Sequence, residues 1–231
     1  MRAVRLSAPG PVHNLRLTTL PLPAARDGWV RIRVEAFGLN RSELKLRLAQ
    51  IIPVDTDLPW EVLGALPEMV QTAYGCLTTG LDLKPGQSLL IRGGTSSVGL
   101  AAAALATWRG ATVLSTSRRA DRLALLKERW VDHPLLDTGE VAPAVRELYP
   151  AGVDAALELV GPPTLPDTLR AVREHGTACF GGSLSNQWTV RDFSPNEYLP
   201  RGVRLAGYFG DAADLPRETS RRSSTRSRPA G

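Results

Sequence analysis

The sequence predicts an α/β protein built on a doubly wound parallel sheet, with a smaller β-rich domain in front of it. Three observations support this class. From residue 88 onward, short apolar runs alternate with segments of helical length, and glycine-bearing turns follow several of the apolar runs. The composition, with 43% hydrophobic but only 6% aromatic residues, indicates an aliphatic core of the kind that parallel sheets have.

The first part of the chain predicts a small β domain. Three segments alternate apolar and polar side chains as half-exposed strands do, namely residues 1–7, 14–23 and 28–40. Asn40 is a suitable N-cap for a helix over residues 42–48. Two further helical patterns follow at residues 61–66 and 68–77, in front of the predicted sheet.

Residues 88–110 form the centre of that sheet. Residues 88–91 have the length of a buried strand, and the alanine-rich residues 98–108 predict a helix. Gly110 suits the C-cap of this helix, and residues 111–115 predict the next strand. The alternation then continues, with helices expected over residues 119–129, 141–149, 164–174 and 194–199 and strands over residues 134–136, 153–160, 177–180 and 203–208.

The turn after the first buried strand matches two of the three glycines of a dinucleotide-binding fingerprint. Gly94 suits the tight turn and Gly99 suits close packing, which leaves the helix N-terminus facing a pyrophosphate. Ser96 replaces the middle glycine, and its hydroxyl is able to donate to a phosphate. The alternative is a glycine-rich turn in another kind of α/β domain.

The end of the second strand favours NADPH over NADH. An NAD site needs an acidic side chain about 20 residues after the glycines, to hold the ribose 2′-hydroxyl. No carboxylate occurs there before Asp121; Ser117, Arg118 and Arg119 instead offer a hydroxyl and two guanidiniums to a 2′-phosphate. Alternatively, the arginines lie on the first turn of a solvated helix, although a cation there opposes the helix dipole.

The net charge of +5 is concentrated at the end of the chain. Residues 216–231 carry five arginines and one glutamate among serines and prolines, so we predict a disordered basic tail over residues 211–231. A basic arm that binds RNA or anionic lipid is an alternative to a solvated end, but we expect no nucleic-acid partner. No apolar run approaches the length of a membrane span, and two distant cysteines, Cys76 and Cys179, fit a cytoplasmic protein.

Several segments of the chain together point to one family. They include TAYGCLTTGLDLKPGQSLLIRGGTSSVGLAA at residues 72–102, TSRRADRLALLKE at residues 116–128 and GVDAALELVG at residues 152–161. These segments resemble the zinc-independent medium-chain dehydrogenase/reductases, in particular the quinone oxidoreductase or zeta-crystallin-like group. The resemblance covers most of residues 1–210.

The resemblance implies a partial GroES-like substrate domain over residues 1–62 and a Rossmann NADPH-binding domain over residues 63–210. It also implies hydride transfer to a small-molecule quinone or activated alkene, and a homodimer formed through the edge strand near residues 203–208. It places Asn40, the candidate at the catalytic centre, and Thr72 beside the nicotinamide and its ribose. It assigns Gly94, Thr95, Ser96, Ser97, Val98 and Gly99 to the pyrophosphate, Ser117 and Arg118 to the 2′-phosphate, and Val160, Gly161, Phe180 and Gly181 to the nicotinamide half.

No zinc site is expected. Zinc-dependent relatives have a cysteine at the position of Asn40, and the three histidines, His13, His133 and His175, are scattered along the chain. Relatives also have further strands between residue 49 and the segment that begins at Ile51, and they continue beyond residue 210. A truncated relative that binds nucleotide without turnover is therefore the alternative prediction.

Overall fold

The computed structural model describes residues 1–6, 12–24, 31–36 and 56–210. The chain divides into two compact units, Met1–Ala36 and Phe37–Gly231. Asn40, the helix predicted over residues 42–48 and the basic tail lie outside the described residues. The predicted domain limits stay predictions.

The first unit contains an antiparallel hairpin. Strands β1 (Arg2–Leu6) and β2 (Leu15–Thr19) pair from Arg2 opposite Thr19 to Leu6 opposite Leu15. Two of the three predicted N-terminal strands are therefore confirmed. Residues 31–36, in the third, form no strand despite their alternation. A strand needs a neighbour for its backbone N–H and C=O groups, and none of the described residues pairs with this segment.

The second unit is a six-stranded sheet in which every pair of neighbours is parallel. Its strands are β3 (Ser88–Arg92), β4 (Thr112–Ser117), β5 (His133–Leu136), β6 (Val153–Glu158), β7 (Val172–Phe180) and β8 (Arg204–Gly207). Their order across the sheet is β5-β4-β3-β6-β7-β8. This is the doubly wound order, and the chain reverses direction across the sheet between β3 and β6, where such folds bind their ligands.

Helices cover both faces of this sheet. They are α1 (Trp60–Gly75), α2 (Ser97–Trp108), α3 (Leu123–Glu128), α4 (Ala142–Leu148), α5 (Leu165–Ala171) and α6 (Pro195–Tyr198). Alternate strand residues enter two separate apolar clusters. Leu89 and Ile91 pack with residues of α1 and α2, whereas Leu90 packs with residues of α4 and α5. The predicted aliphatic core is thus two layers, one on each side of the sheet.

Two helix predictions need correction. The helical patterns predicted over residues 61–66 and 68–77 are one helix, α1, which contains Pro67 and continues as a π-helical turn over Cys76–Gly80. Pro67 is exposed, and its missing N–H removes the intrahelical hydrogen bond to the carbonyl oxygen of Leu63.

The helix predicted over residues 164–174 ends at Ala171, because Val172 pairs with Val153 and begins β7. Gly152 packs so closely on this junction that a Cβ on it would lie 2.7 Å from the Ala171 carbonyl oxygen. The register of β7 against β6 then shifts before Thr177, where the prediction had placed the start of this strand.

Candidate functional site

The glycine-rich turn connects β3 to α2 at the carboxyl edge of the sheet. Gly93 has a φ of +87°, and the Gly94 N–H donates to the Thr116 carbonyl oxygen over 3.0 Å. A Cβ on Gly94 would lie 1.7 Å from Ser115 Oγ, and one on Gly99 would lie 2.6 Å from the Gly93 carbonyl oxygen. The backbone therefore packs at these two positions at distances that only glycine permits.

The N-terminus of α2 offers donors to an anion. The amides of Thr95, Ser97 and Val98 have no hydrogen-bond acceptor among the described residues. They stand at the end of a 12-residue helix, where the helix dipole favours negative charge. Such a terminus fits a pyrophosphate.

Ser96 does not offer its hydroxyl to a ligand, contrary to the expectation from sequence. Ser96 Oγ donates to the Gly93 carbonyl oxygen over 2.8 Å and accepts from the Gly99 N–H over 3.1 Å. Its single proton is thereby used inside the turn, and the side chain is the N-cap of α2.

We expect Ser96→Ala to lower the free energy of unfolding by about 1 kcal/mol, because the Gly99 N–H loses its cap. Ser96→Gly, which restores the fingerprint glycine, should cost only about a few tenths of a kcal/mol. Urea unfolding measures both changes. Ser97→Ala is the matched control, since no hydrogen bond of the Ser97 side chain occurs in the described part of the chain; equal losses for both alanine variants would contradict the capping role.

The second strand of the β-α-β unit ends beside this turn. Ser117 is buried, and its Oγ accepts from the Arg119 N–H over 3.1 Å. The Arg119 guanidinium pairs with Asp121 at 2.5 Å, so the first carboxylate after β4 is already occupied. Arg118 is exposed, and its guanidinium makes no ion pair or hydrogen bond with any described residue. Of the two arginines, Arg118 is the one left for a ligand.

A buried ionic cluster, which was not predicted from the sequence, lies at the carboxyl end of β3. Arg92, at the end of β3, is fully buried and donates from Nε and Nη2 to the two oxygens of Asp137, each over 2.8 Å. Its Nη1 donates to Asp167 Oδ2 over 2.6 Å and to the Thr164 carbonyl oxygen over 3.2 Å. Nη2 also donates to the Gly139 carbonyl oxygen, so all the guanidinium N–H groups have acceptors.

The charges in this cluster depend on one another. Burial alone would lower the pKa of Arg92, but the hydrogen bond and the charge of Asp137 raise it above its ordinary value. Burial alone would raise the pKa of Asp137, but Arg92 holds it below its ordinary value. The pair is therefore charged at neutral pH, and neither member tolerates loss of the other.

A second residue that was not predicted from the sequence, Glu158, is hydrogen-bonded to the turn after β6. Its buried carboxylate accepts from the Val160 N–H over 2.6 Å and from the Gly161 N–H over 2.9 Å. Burial raises the pKa of Glu158, while hydrogen bonds, the largest of them from Thr168, oppose that change. The sequence signal for both missed residues is a charged side chain at the end of an apolar strand.

The structure brings the other residues predicted for the nicotinamide half to the same sheet edge. Val160 and Gly161 follow β6, and Phe180 and Gly181 lie at the end of β7 and just after it. A Cβ on Gly181 would lie 2.6 Å from Cys76 Sγ, so this glycine also allows the π-helical turn after α1 to pack on the sheet. Thr72 lies half-buried on α1, and a Cβ on Gly210 would lie 3.6 Å from its Oγ1.

The two cysteines meet in the core, although they are distant in sequence. Cys76 and Cys179 are buried free thiols. A hydrogen bond with Cys179 and burial raise the pKa of Cys76 far above its ordinary value, so it stays a neutral thiol. In the described ranges of the chain, no three His, Cys, Asp or Glu side chains are grouped so that they could hold a metal ion. No helix in those ranges is long and apolar enough to span a bilayer.

The fold and this edge define a class of protein. A doubly wound sheet in the order of a Rossmann fold, a tight glycine turn and free amides at the N-terminus of α2 together form a dinucleotide-binding domain. The amides of Thr95, Ser97 and Val98, which have no acceptor among the described residues, fit the pyrophosphate of such a cofactor.

Comparison with known proteins identifies the family. Residues 97–223 match the model of the zinc-binding dehydrogenases, which is more than half of the chain. The chain belongs to this family, the medium-chain dehydrogenase/reductases, and quinone oxidoreductases are among the solved structures that share its fold. This is a family of oxidoreductases, and the family and fold predicted from the sequence are confirmed.

Three relatives illustrate the match. The chain is 31% identical over 173 residues to geraniol dehydrogenase of Castellaniella defragrans, over 65% of this chain and 46% of that protein. It is 28% identical over 173 residues to prostaglandin reductase-3 of Bos taurus, over 69% of this chain and 45% of that protein. The chain thus spans less than half the length of these two relatives. The quinone oxidoreductase of Thermus thermophilus, solved alone and with NADPH, superposes with a TM-score of 0.73 at 22% identity, over 90% of this chain and 80% of that one.

Proposed function

We propose that this protein is an NADPH-dependent oxidoreductase that transfers a hydride to a quinone or an activated alkene. The observation that carries the proposal is the end of β4, where the guanidinium of Arg118 has no partner among the described residues and follows the buried Ser117. Arg119, by contrast, is paired with Asp121. A cation without a carboxylate partner beside a dinucleotide turn suits a 2′-phosphate better than a 2′-hydroxyl.

The residues of this chain would bind and orient the cofactor. The amides of Thr95, Ser97 and Val98 would hold the pyrophosphate, and Ser117 and Arg118 the 2′-phosphate. When bound, NADPH supplies the hydride, and the protein supplies orientation and a site from which water is excluded. The nicotinamide half is proposed to lie along Val160, Gly161, Phe180 and Gly181, with Thr72 and Asn40 beside the nicotinamide and its ribose.

We expect Arg118→Ala to raise the Kd for NADPH about tenfold, because a charged hydrogen bond to phosphate is lost. The Kd for NADH should change by less than about twofold, since NADH has no 2′-phosphate. Titration of the intrinsic fluorescence measures both constants. Arg119→Ala is the matched control, because its partner is Asp121. An equal loss for both dinucleotides would contradict the assignment of Arg118.

Turnover distinguishes the proposed reductase from a relative that only binds nucleotide. Oxidation of NADPH, followed at its absorbance band with a simple quinone or enone as acceptor, is the expected result. Binding of NADPH without turnover at any acceptor tested would favour the binding protein. Absence of NADPH binding in a folded sample would contradict both functions.

We also propose a homodimer in a reducing cytoplasm. Among the described residues, β8 pairs only with β7, so its outer edge has open backbone groups. Leu205 on this strand is 37% exposed, and Phe209 just after it is 70% exposed. Sedimentation measures the mass, and a monomer at high concentration would contradict the dimer. The free thiols of Cys76 and Cys179 fit the reducing compartment.

A further inference from the structure

The Glu158 carboxylate at the end of β6 makes hydrogen bonds to one short stretch of chain. Oε1 accepts from the Val160 N–H, the Gly161 N–H and Thr164 Oγ1, at 2.6, 2.9 and 3.1 Å. Oε2 accepts from Thr168 Oγ1 over 2.5 Å. No part of the Glu158 side chain reaches solvent, so each of these donors depends on it.

The turn that Glu158 holds is joined to the loop after β7. Gly161 has a φ of +121°, and a Cβ on it would lie 2.8 Å from both Ser183 Oγ and Ser185 Oγ. The Ser185 N–H donates to the Val160 carbonyl oxygen over 2.9 Å. Both backbone groups of Val160 are therefore fixed, its N–H by Glu158 and its carbonyl by the neighbouring loop. The turn and the loop form one rigid wall at the carboxyl edge of β6 and β7.

We propose that Glu158 is a positioning residue that presets the Val160–Gly161 turn for the nicotinamide half of the dinucleotide. The inference rests on the proposed function and assigns a role to a side chain that is fully buried. Without Glu158, the part-buried N–H of Val160 and the buried N–H of Gly161 lose their acceptor, and the turn must move to find others. The adenine half lies at the ends of β3 and β4, where Glu158 makes no hydrogen bond.

A two-ligand titration tests this role. Adenosine 2′,5′-bisphosphate carries the adenine half without the nicotinamide, so it reports on the rest of the site. We expect Glu158→Ala to raise the Kd for NADPH about tenfold or more and that for the bisphosphate by less than about twofold. Glu158→Gln should restore most of the NADPH affinity, because its amide oxygen can accept from the same two N–H groups. Glu147→Ala, an exposed change on α4, is the matched control.

Each result decides the inference. Equal weakening of both ligands by Glu158→Ala, or weakening of neither, would overturn it. If Glu158→Ala does not fold, Thr168→Val removes the donor to Oε2 and a 3.4 Å hydrogen bond from Arg92 Nη1, which keeps its acceptors on Asp167 and Thr164. This variant should weaken NADPH alone, by about threefold. The same weakening of both ligands by Thr168→Val would count against the role. If the wild-type protein binds neither ligand, the proposed function fails first, and that failure is visible before any variant is made.

Discussion

Replacing Arg92 with methionine should lower the free energy of unfolding by about 3–5 kcal/mol. The guanidinium is fully buried and is the ion-pair partner of both Asp137 and Asp167. Methionine fills much of the same space but leaves the buried Asp137 carboxylate without its cation and Asp167 with only Arg170, 3.4 Å away. An unpaired charge inside the protein is costly, because it has been taken out of water. The change in stability of this variant therefore reports mainly the electrostatic cost of removing the Arg92 charge, and only to a smaller extent the loss of packing.

Urea unfolding at pH 7 is the measurement, and Arg119→Met is the control. Arg119 also pairs with an aspartate, but its side chain is 65% exposed, so its loss should leave the unfolding midpoint unchanged. The unfolding midpoint of Arg92→Lys should lie between those of wild type and Arg92→Met. An ammonium keeps the charge but cannot donate from two nitrogens to Asp137. An Arg92→Met midpoint within error of wild type would contradict the importance of the cluster.

The same variant has a predicted pH dependence. Arg92 lowers the pKa of Asp137 in the folded protein, so this pair stabilises the fold above the unfolded pKa of about 4. That stability is lost as the pH falls through the lower, folded pKa. The difference between the stabilities of wild type and Arg92→Met should consequently narrow as the pH falls towards and through about 4, because a protonated Asp137 no longer needs the cation. A difference that stays constant with pH would show that the effect is one of packing alone.

Gly99→Ala should both destabilise the protein, by about 1–3 kcal/mol, and raise the Kd for NADPH about tenfold or more. The added Cβ would lie 2.6 Å from the Gly93 carbonyl oxygen and 2.8 Å from Gly94 Cα. Both are backbone atoms, so no side chain can rotate away, and α2 must move off the glycine turn. The amides at the N-terminus of α2, which we propose as the donors to the pyrophosphate, would then move relative to the glycine turn.

The control for this variant is Gly207→Ala. A Cβ on Gly207 would meet nothing within 4 Å, although this glycine also lies in the sheet. We expect its unfolding midpoint and NADPH affinity to match wild type, measured by the same urea unfolding and fluorescence titration. If Gly99→Ala retains both wild-type stability and affinity, the close approach of α2 to the turn is not required.

Local signals were sufficient for most of the sheet. The apolar runs at Ser88–Arg92, Thr112–Ser117 and Val153–Glu158 are short, bounded by turn residues and buried, and each forms a strand where the pattern indicates one. The glycine turn was equally visible, since Gly94 and Gly99 stand at fixed spacing in front of an alanine-rich helix. Local signals failed at residues 172–174, because the helical pattern there continues past the point where pairing of Val172 with Val153 begins β7.

The side-chain interactions that were not predicted from the sequence were missed for a different reason. Arg92 is hydrogen-bonded to Asp137 and Asp167, which are 45 and 75 positions away in the chain. A charged residue at the end of an apolar run signals a buried partner, but the run does not say which residue that partner is. For Ser96 the partner is close in the sequence. Its hydroxyl accepts a hydrogen bond from the N–H of Gly99, three positions later, so it caps the helix instead of binding a ligand.

The class of fold, the glycine turn and the arginines after the second strand of the sheet were predictable from the residues alone, because periodicity and turn chemistry are properties of neighbouring residues. Three other features became visible only in the folded chain. Arg119 pairs with Asp121, Arg118 has no partner among the described residues, and Glu158 accepts from the N–H groups of Val160 and Gly161. Side-chain hydrogen bonds and ion pairs depend on distances of a few ångströms between groups, and those distances exist only once the strands have been brought side by side.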